Sequence, residues 1–167
     1  MRIANIFMCT SVLVLALAVG PASNARGDTS KTIYLDELDL NFVTVGWGAP
    51  HAKLSVDGNP ISIGGVKYER GVGVHADSDF MIGLDGEAEE FTARIGVDDE
   101  AGSKGSVTFQ IVVDDELVFT SSELHGGDEA VEVKVDLHGA KKLLLRVQAA
   151  GDPPPQRPGR FQAPRQS

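Results

Sequence analysis

The chain has 167 residues and a formal net charge of −9, from 24 acidic against 15 basic side chains. That balance, with no basic run before the last residues, argues against a surface that neutralises phosphates, so nucleic acid is not an expected partner. A single cysteine in the whole chain allows no intramolecular disulfide, and the fold must be held by its own buried core.

The first element in chain order is an export signal. Arg2 precedes an apolar run over residues 12–19, and small residues follow as far as Ala25, which predicts a secretory signal peptide over 1–25 and a secreted or periplasmic protein. The run is too short to span a bilayer comfortably and no second one follows it, so membrane insertion is not expected. Cys9 lies inside this signal without the leucine and small residues that lipid attachment would need, and the expected mature chain has no thiol.

Residues 31–152 read as one domain. Short alternating segments separated by Gly, Asp and Asn, with few stretches at helical spacing, predict an all-β sandwich. The expected strands are 61–63, 66–68, 72–75, 80–84, 91–97, 106–113, 117–120, 131–135 and 142–148, most of them carrying β-branched residues. Asp57-Gly58, Gly64-Gly65, Asp85-Gly86, Asp114-Asp115 and His138-Gly139 supply the turns. Only residues 34–38 could form a helical turn. The Pro-, Arg- and Gln-rich tail, 153–167, is expected to be disordered.

If each later connection reverses the chain, the loops at 76–79, 98–105, 121–130 and 149–152 share one end of the sandwich. Long polar loops on a rigid scaffold are where binding residues usually sit, so this end is the candidate functional end. The sequence offers it no common catalytic template: there is no Gly-x-Ser-x-Gly, no His-Glu-x-x-His and no phosphate-cradling glycine loop. The three acids of Val97-Asp98-Asp99-Glu100 admit two readings beyond a solvated turn. Paired carboxylates could do glycosidic acid–base work, but no partner across a cleft is evident. Asp98 and Asp99 could instead ligate a structural calcium ion together with a backbone carbonyl.

Trp47, the only tryptophan, is flanked by Gly46 and Gly48, which leave its ring uncovered by neighbouring side chains. It reads either as a core anchor or as a flat platform for a sugar. His75 shares a strand face with Gly73, an arrangement that gives the imidazole room but little cover, and it reads as a hydrogen-bonded structural histidine or a binding residue. His51, His125 and His138 have no helpful spacing and read as surface residues.

The runs "GWGAPHAKLSVDGNPISIGGVKYERGVGVHADSDFMIGL", "FTARIGVDDEAGSKGSVTFQIVVDDELVF" and "GGDEAVEVKVDLHGAKKLLLRV", followed by "AGD", resemble the NPCBM domain, the carbohydrate-binding module first noted beside glycoside hydrolase family 98 and grouped as carbohydrate-binding module family 51. The resemblance covers roughly residues 34–152. It implies a jelly-roll β-sandwich of the galactose-binding-domain-like type, without catalytic activity, binding galactose or galactose-containing glycans. The family motifs fall on Gly46, Trp47 and Gly48, on Gly71, Gly73, His75 and Ala76, and on Gly96 to Glu100. Trp47, His75, Asp98 and Asp99 are accordingly the candidate carbohydrate-binding residues, and the structural calcium of some galactose-binding-like domains agrees with the calcium reading of Asp98 and Asp99.

The resemblance ends at Asp152, where the family typically continues into a last strand and this chain runs into Pro153-Pro154-Pro155. Proline cannot donate to a ladder, so the closing strand is expected to be missing and a neighbouring edge exposed. The leading expectation is therefore an exported module that binds a glycan and is associated with a glycosidase or an envelope protein. The alternative is a protein-interaction or structural module of the envelope with a vestigial sugar site.

Overall fold

The computed structural model describes residues 2–4 and 31–150. The apolar run, Cys9 and the cleavage position of the expected signal peptide lie outside the described residues, as do Asp152 and the expected tail.

The strands are β1 (Arg2–Ala4), β2 (Thr32–Ile33), β3 (Val43–Val45), β4 (His51–Ala52), β5 (Ile61–Ile63), β6 (Val66–Tyr68), β7 (Val72–Gly73), β8 (Ser78–Gly83), β9 (Glu90–Ile95), β10 (Ser106–Val113), β11 (Glu116–Thr120), β12 (Leu124–His125), β13 (Val131–Asp136) and β14 (Lys142–Ala149). Among the described residues, 3₁₀ segments at Leu35–Glu37, Leu40–Phe42 and Asp99–Lys104, the last broken by a kink at Gly102, fall between them. Two sheets face each other: β11-β10-β14-β8-β3, with β12 also paired to β10, and β13-β9-β1-β2. Two small two-stranded sheets, β4–β7 and the hairpin β5–β6 that lies between those strands in sequence, stand beside them.

The sandwich follows from alternation. Along β9 the odd positions Phe91, Ala93 and Ile95 are buried while Glu90, Thr92 and Arg94 are only half-buried, and β14 repeats the pattern with Leu143, Leu145 and Val147 inward. Because side chains alternate strictly along a strand, each such run commits one face to the core. Phe80 from one sheet and Phe91 from the other are almost wholly buried in a single cluster. A second, smaller cluster of Ile61, Ile63 and Tyr68 lies under the β5–β6 hairpin.

Long β10 ties the larger sheet together, pairing antiparallel with β14 from Val107↔Ala149 to Val113↔Leu143 and with β11 on its other side, through a bulge between Ile111 and Val112. The segment after β2 is anchored by fully buried Leu35 and by Arg70, whose guanidinium donates to Asp36 Oδ1 at 3.0 Å and to Glu37 Oε1 at 2.6 Å. The same guanidinium lies 3.9 Å from the centroid of the Tyr34 ring.

Three expectations shift. The strand expected over 72–75 closes at Gly73, because Gly73 is pressed against the 54–55 backbone and His75 belongs to the following loop. The strand expected over 91–97 ends at Ile95, where the chain turns into the acidic loop. The remaining gains are strands of two or three residues, β1, β2, β3, β4 and β12, too short to show a period in sequence, and β1 falls within the residues expected to be signal peptide.

Candidate functional site

The loops expected to share an end meet there. Gly46 N–H donates to Asp77 O, Ala149 N–H donates to Asp77 Oδ1, Ala150 N–H donates to Ser106 O, and Gly126 N–H donates to Gly105 O, with distances of 2.8 to 3.0 Å. These bonds tie the loops after β3, β7, β9, β12 and β14 to one another. Between them opens a cleft of about 460 Å³.

Apolar and polar side chains both line the cleft. Val74, Val97, Val107, Phe109 and Val147 form the apolar part, and His75, Asp57, Asp98, Glu100 and Ser106 bring polar groups to it. Concave sites that bind small molecules combine these two features, apolar area for burial and a few polar groups for orientation.

The acidic wall is built by long-range hydrogen bonds. Asp98 caps the Asp99–Lys104 turn by accepting from Glu100 N–H, and its other carboxylate oxygen accepts from Ser62 N–H, both at 3.0 Å. Asp99 accepts from Ser62 Oγ at 2.5 Å and from Gly65 N–H at 2.9 Å. Glu100 accepts from Ser55 Oγ at 2.8 Å, Asn59 Nδ2 at 3.0 Å and Asp57 N–H at 3.3 Å. Three consecutive carboxylates thus fasten the 55–65 segment to the loop after β9.

Their ionisation follows from these surroundings. Burial pushes the Asp98 carboxyl above its ordinary range, the N–H groups of Glu100 and Ser62 offset part of that, and the charges of Glu100 and Asp99 add to the rise. The Ser62 hydroxyl holds Asp99 below its ordinary value against the opposing effect of burial. Burial also pushes Glu100 upward, but the donors from Asn59, Ser55 and Asp57 together outweigh it and leave this carboxyl below its ordinary value.

Trp47 stands at the margin. Its ring is 68% exposed and meets the His75 imidazole edge-to-face, with centroids 4.5 Å apart and planes at 76°. Gly48 takes a positive φ of 75°, and a Cβ there would lie 3.5 Å from the His75 ring, so the turn and the aromatic contact are compatible with glycine.

This architecture has known relatives. The profile of the NPCBM/NEW2 domain matches residues 31–160. The chain belongs to the NPCBM/NEW2 family. A protein of Renibacterium salmoninarum named "Putative endo-alpha-N-acetylgalactosaminidase" is 36% identical over 112 residues, which is 64% of this chain and 7% of that protein. The chain therefore spans a small fraction of that curated relative. The CBM51 module of a Clostridium perfringens GH95 protein, solved in complex with methyl-galactose, superposes with a TM-score of 0.67 at 34% identity, over 72% of this chain and 89% of that one. The CBM51-2 and INT domains of Clostridium perfringens ZmpB, with CBM51-2 in complex with GlcNAc, superpose with a TM-score of 0.66 at 25% identity, over 71% of this chain and 27% of theirs. The fold is thus that of the CBM51 β-sandwiches, in line with the jelly-roll expectation.

Within this NPCBM/NEW2 domain the four candidate residues separate. His75 and Asp98 line the cleft. Trp47 reaches it through His75, and its exposure removes the core reading left open by the sequence. Asp99 faces the β5–β6 hairpin, where Ser62 and Gly65 occupy it, and it does not line the cleft. The open space expected beside His75 on account of Gly73 is filled: a Cβ on Gly73 would overlap the Leu54 carbonyl oxygen and lie 2.7 Å from the Ser55 carbonyl carbon.

A calcium ion finds no ready cage at Asp98 and Asp99. Their carboxylates already accept N–H and O–H donors, and among the described residues no group of three or more His, Cys, Asp or Glu side chains could hold a metal.

Sequence reasoning placed Glu100 at this end but not among the candidate binding residues, and it left Asp57 and Ser106 out of the site. Glu100 carried a signal, as the third acid of the family-like run, but its partners lie more than 40 positions upstream. His51 is a structural residue, its Nδ1 3.0 Å from Ser55 O. His125 and His138 remain at the surface beside acidic neighbours.

Proposed function

We propose that the chain is an exported, non-catalytic module that binds galactose or a galactose-containing glycan at the Trp47–His75 margin of the cleft. The observation that carries this reading is the exposed Trp47 ring, braced edge-to-face on His75 beside a cleft with a carboxylate wall. An aromatic face takes the C–H face of a sugar, and a charged acceptor such as Glu100 strengthens hydrogen bonds from its hydroxyls. The galactoside held by the GH95 module supports the choice of sugar. On this reading the module is associated with a glycosidase or an envelope protein and acts outside the cytoplasm.

Calorimetric titration of methyl-galactoside into the wild-type chain and Trp47→Ala tests the assignment. The expected result is affinity about tenfold weaker in the variant, with a melting temperature within about 2 °C of wild type, because an exposed ring contributes little to the core. Equal affinity in the two proteins would place the sugar elsewhere.

A second reading, a protein-interaction or structural module of the envelope with a vestigial sugar site, is favoured by the outer face of the larger sheet. Met81 pairs with Leu144, Leu144 with Val112 and Val112 with Leu117, giving an outward apolar row whose end residues Met81 and Leu117 are exposed. Contiguous apolar rows on a surface mark interaction sites. Silence on a glycan array, together with retention on a protein partner that Met81→Lys abolishes, would support this reading.

A further inference from the structure

The smaller sheet contains a strand that is remote in sequence from its neighbours. β1 lies between β9 and β2 and runs parallel to both, with Arg2↔Glu90, Ile3↔Phe91 and Ala4↔Thr92 on one side and Arg2↔Thr32 and Ile3↔Ile33 on the other. β9 is six residues long and pairs on its other side with β13 over its full length. Take β1 away, and β9 and β2 stand two strand spacings apart, roughly 9.5 Å, too far to bond each other. β2 is not free to move in, because Leu35, two residues beyond it, is fully buried in the core. Alternate N–H and C=O groups of β9 would then lack partners, and an unpaired edge of that kind is a template for another strand.

We propose that β9 and β2 form a slot for one parallel strand, and that the chain's own amino-terminal residues 2–4 are its occupant. These residues are then part of the folded domain and not only of a leader. A cut after Ala25, as the sequence pattern predicts, removes the occupant and opens the slot. Processing would convert a paired interior position of the sheet into a strand-accepting edge.

Hydrogen–deuterium exchange over β9 tests this directly. The full chain, the full chain carrying Ile3→Pro, and a chain beginning at Arg26 are compared, with a thermal melt and a sedimentation run on each. Proline removes an N–H from the strand, so the variant probes pairing without deleting the apolar segment. The expected result is exchange at least about tenfold faster in β9 for both altered chains, at the amides β13 does not take, and a melting temperature lower by about 5 °C. A synthetic peptide of residues 1–8 added to the shortened chain is expected to restore protection saturably.

If β9 in the full chain exchanges as fast as in the shortened one, the slot is not filled by residues 2–4 and the proposal fails. It fails equally if Ile3→Pro leaves β9 protected. Protection of β9 in the shortened chain that appears only with dimer formation would assign the slot to a second copy and overturn the assignment to the chain's own amino terminus.

Discussion

Replacing Asp98 with alanine tests whether the acidic loop is a fastening or a ligand set. Asp98 is only 5% exposed, and its two carboxylate oxygens accept from Ser62 N–H and Glu100 N–H, each at 3.0 Å. Truncation leaves two N–H groups at a largely buried position without their acceptor, at a cost of about 1–3 kcal/mol for each one that water does not reach. Against this stands the relief of a buried negative charge, the same effect that pushes the Asp98 carboxyl upward. The net expectation is a loss of about 2 kcal/mol, seen as a fall in melting temperature of about 8 °C for a domain of this size. Urea denaturation with unchanged m-value, set beside calorimetric titration of methyl-galactoside, separates the possible roles. Asp98→Asn, which keeps one oxygen acceptor, is expected to recover about half of the loss. A variant that melts within about 2 °C of wild type but no longer binds sugar would refute the fastening argument and make Asp98 a ligand residue.

Other outcomes follow from the same geometry. Gly73→Ala is expected to cost about 2–3 kcal/mol in urea denaturation, because its Cβ meets the Leu54 and Ser55 backbone and not a movable side chain. For pH, the depressed carboxyls of Asp99 and Glu100 contribute stability that is present above their unfolded values near ~4 and lost as pH falls through the folded ones. Asp99→Asn with Glu100→Gln should therefore flatten the acid limb of melting temperature against pH below about 4, and an unchanged limb would remove these two groups as its source. Asp98 has the opposite sign: its raised carboxyl gives stability fully present below the unfolded value and lost as pH rises through the folded one, so Asp98→Asn should lessen that loss. Arg146→Met, which breaks the half-exposed pair with Asp79 at 2.6 Å, is expected to shift stability by no more than about 1 kcal/mol in thermal melts.

The parts of the fold legible in sequence are those where one strand carries its own evidence. β5, β6 and β10 fall on the expected residues because alternation with β-branched side chains needs no knowledge of the partner strand. β3 and β12 escape for the opposite reason: two or three residues cannot display a period, and they are strands only because β8 and β10 pair with them. β1 is further out of reach, since its neighbours lie about 30 and 90 positions along the chain and its place in the sheet depends on a gap between them.

The candidate site divides along the same line. The turn residues around Trp47 announce an uncovered ring, and the structure finds it exposed; which face of the domain it occupies depends on Asp77, whose carbonyl and carboxylate join the Trp47 loop to the end of β14. The acidic run shows the limit most clearly. Sequence presents three adjacent carboxylates as one group, and adjacency suggests a shared ligand. A chain turning through a 3₁₀ segment sends consecutive side chains in different directions, so Asp98 reaches β5, Asp99 the hairpin turn and Glu100 the 55–59 turn. What the run shares is the segment it fastens. The position of the 55–65 segment then rests on charges that sequence alone would assign to solvent or to a metal, and on the proposed reading Asp98 and Asp99 would act on affinity at Trp47 and His75 through the segment they fasten.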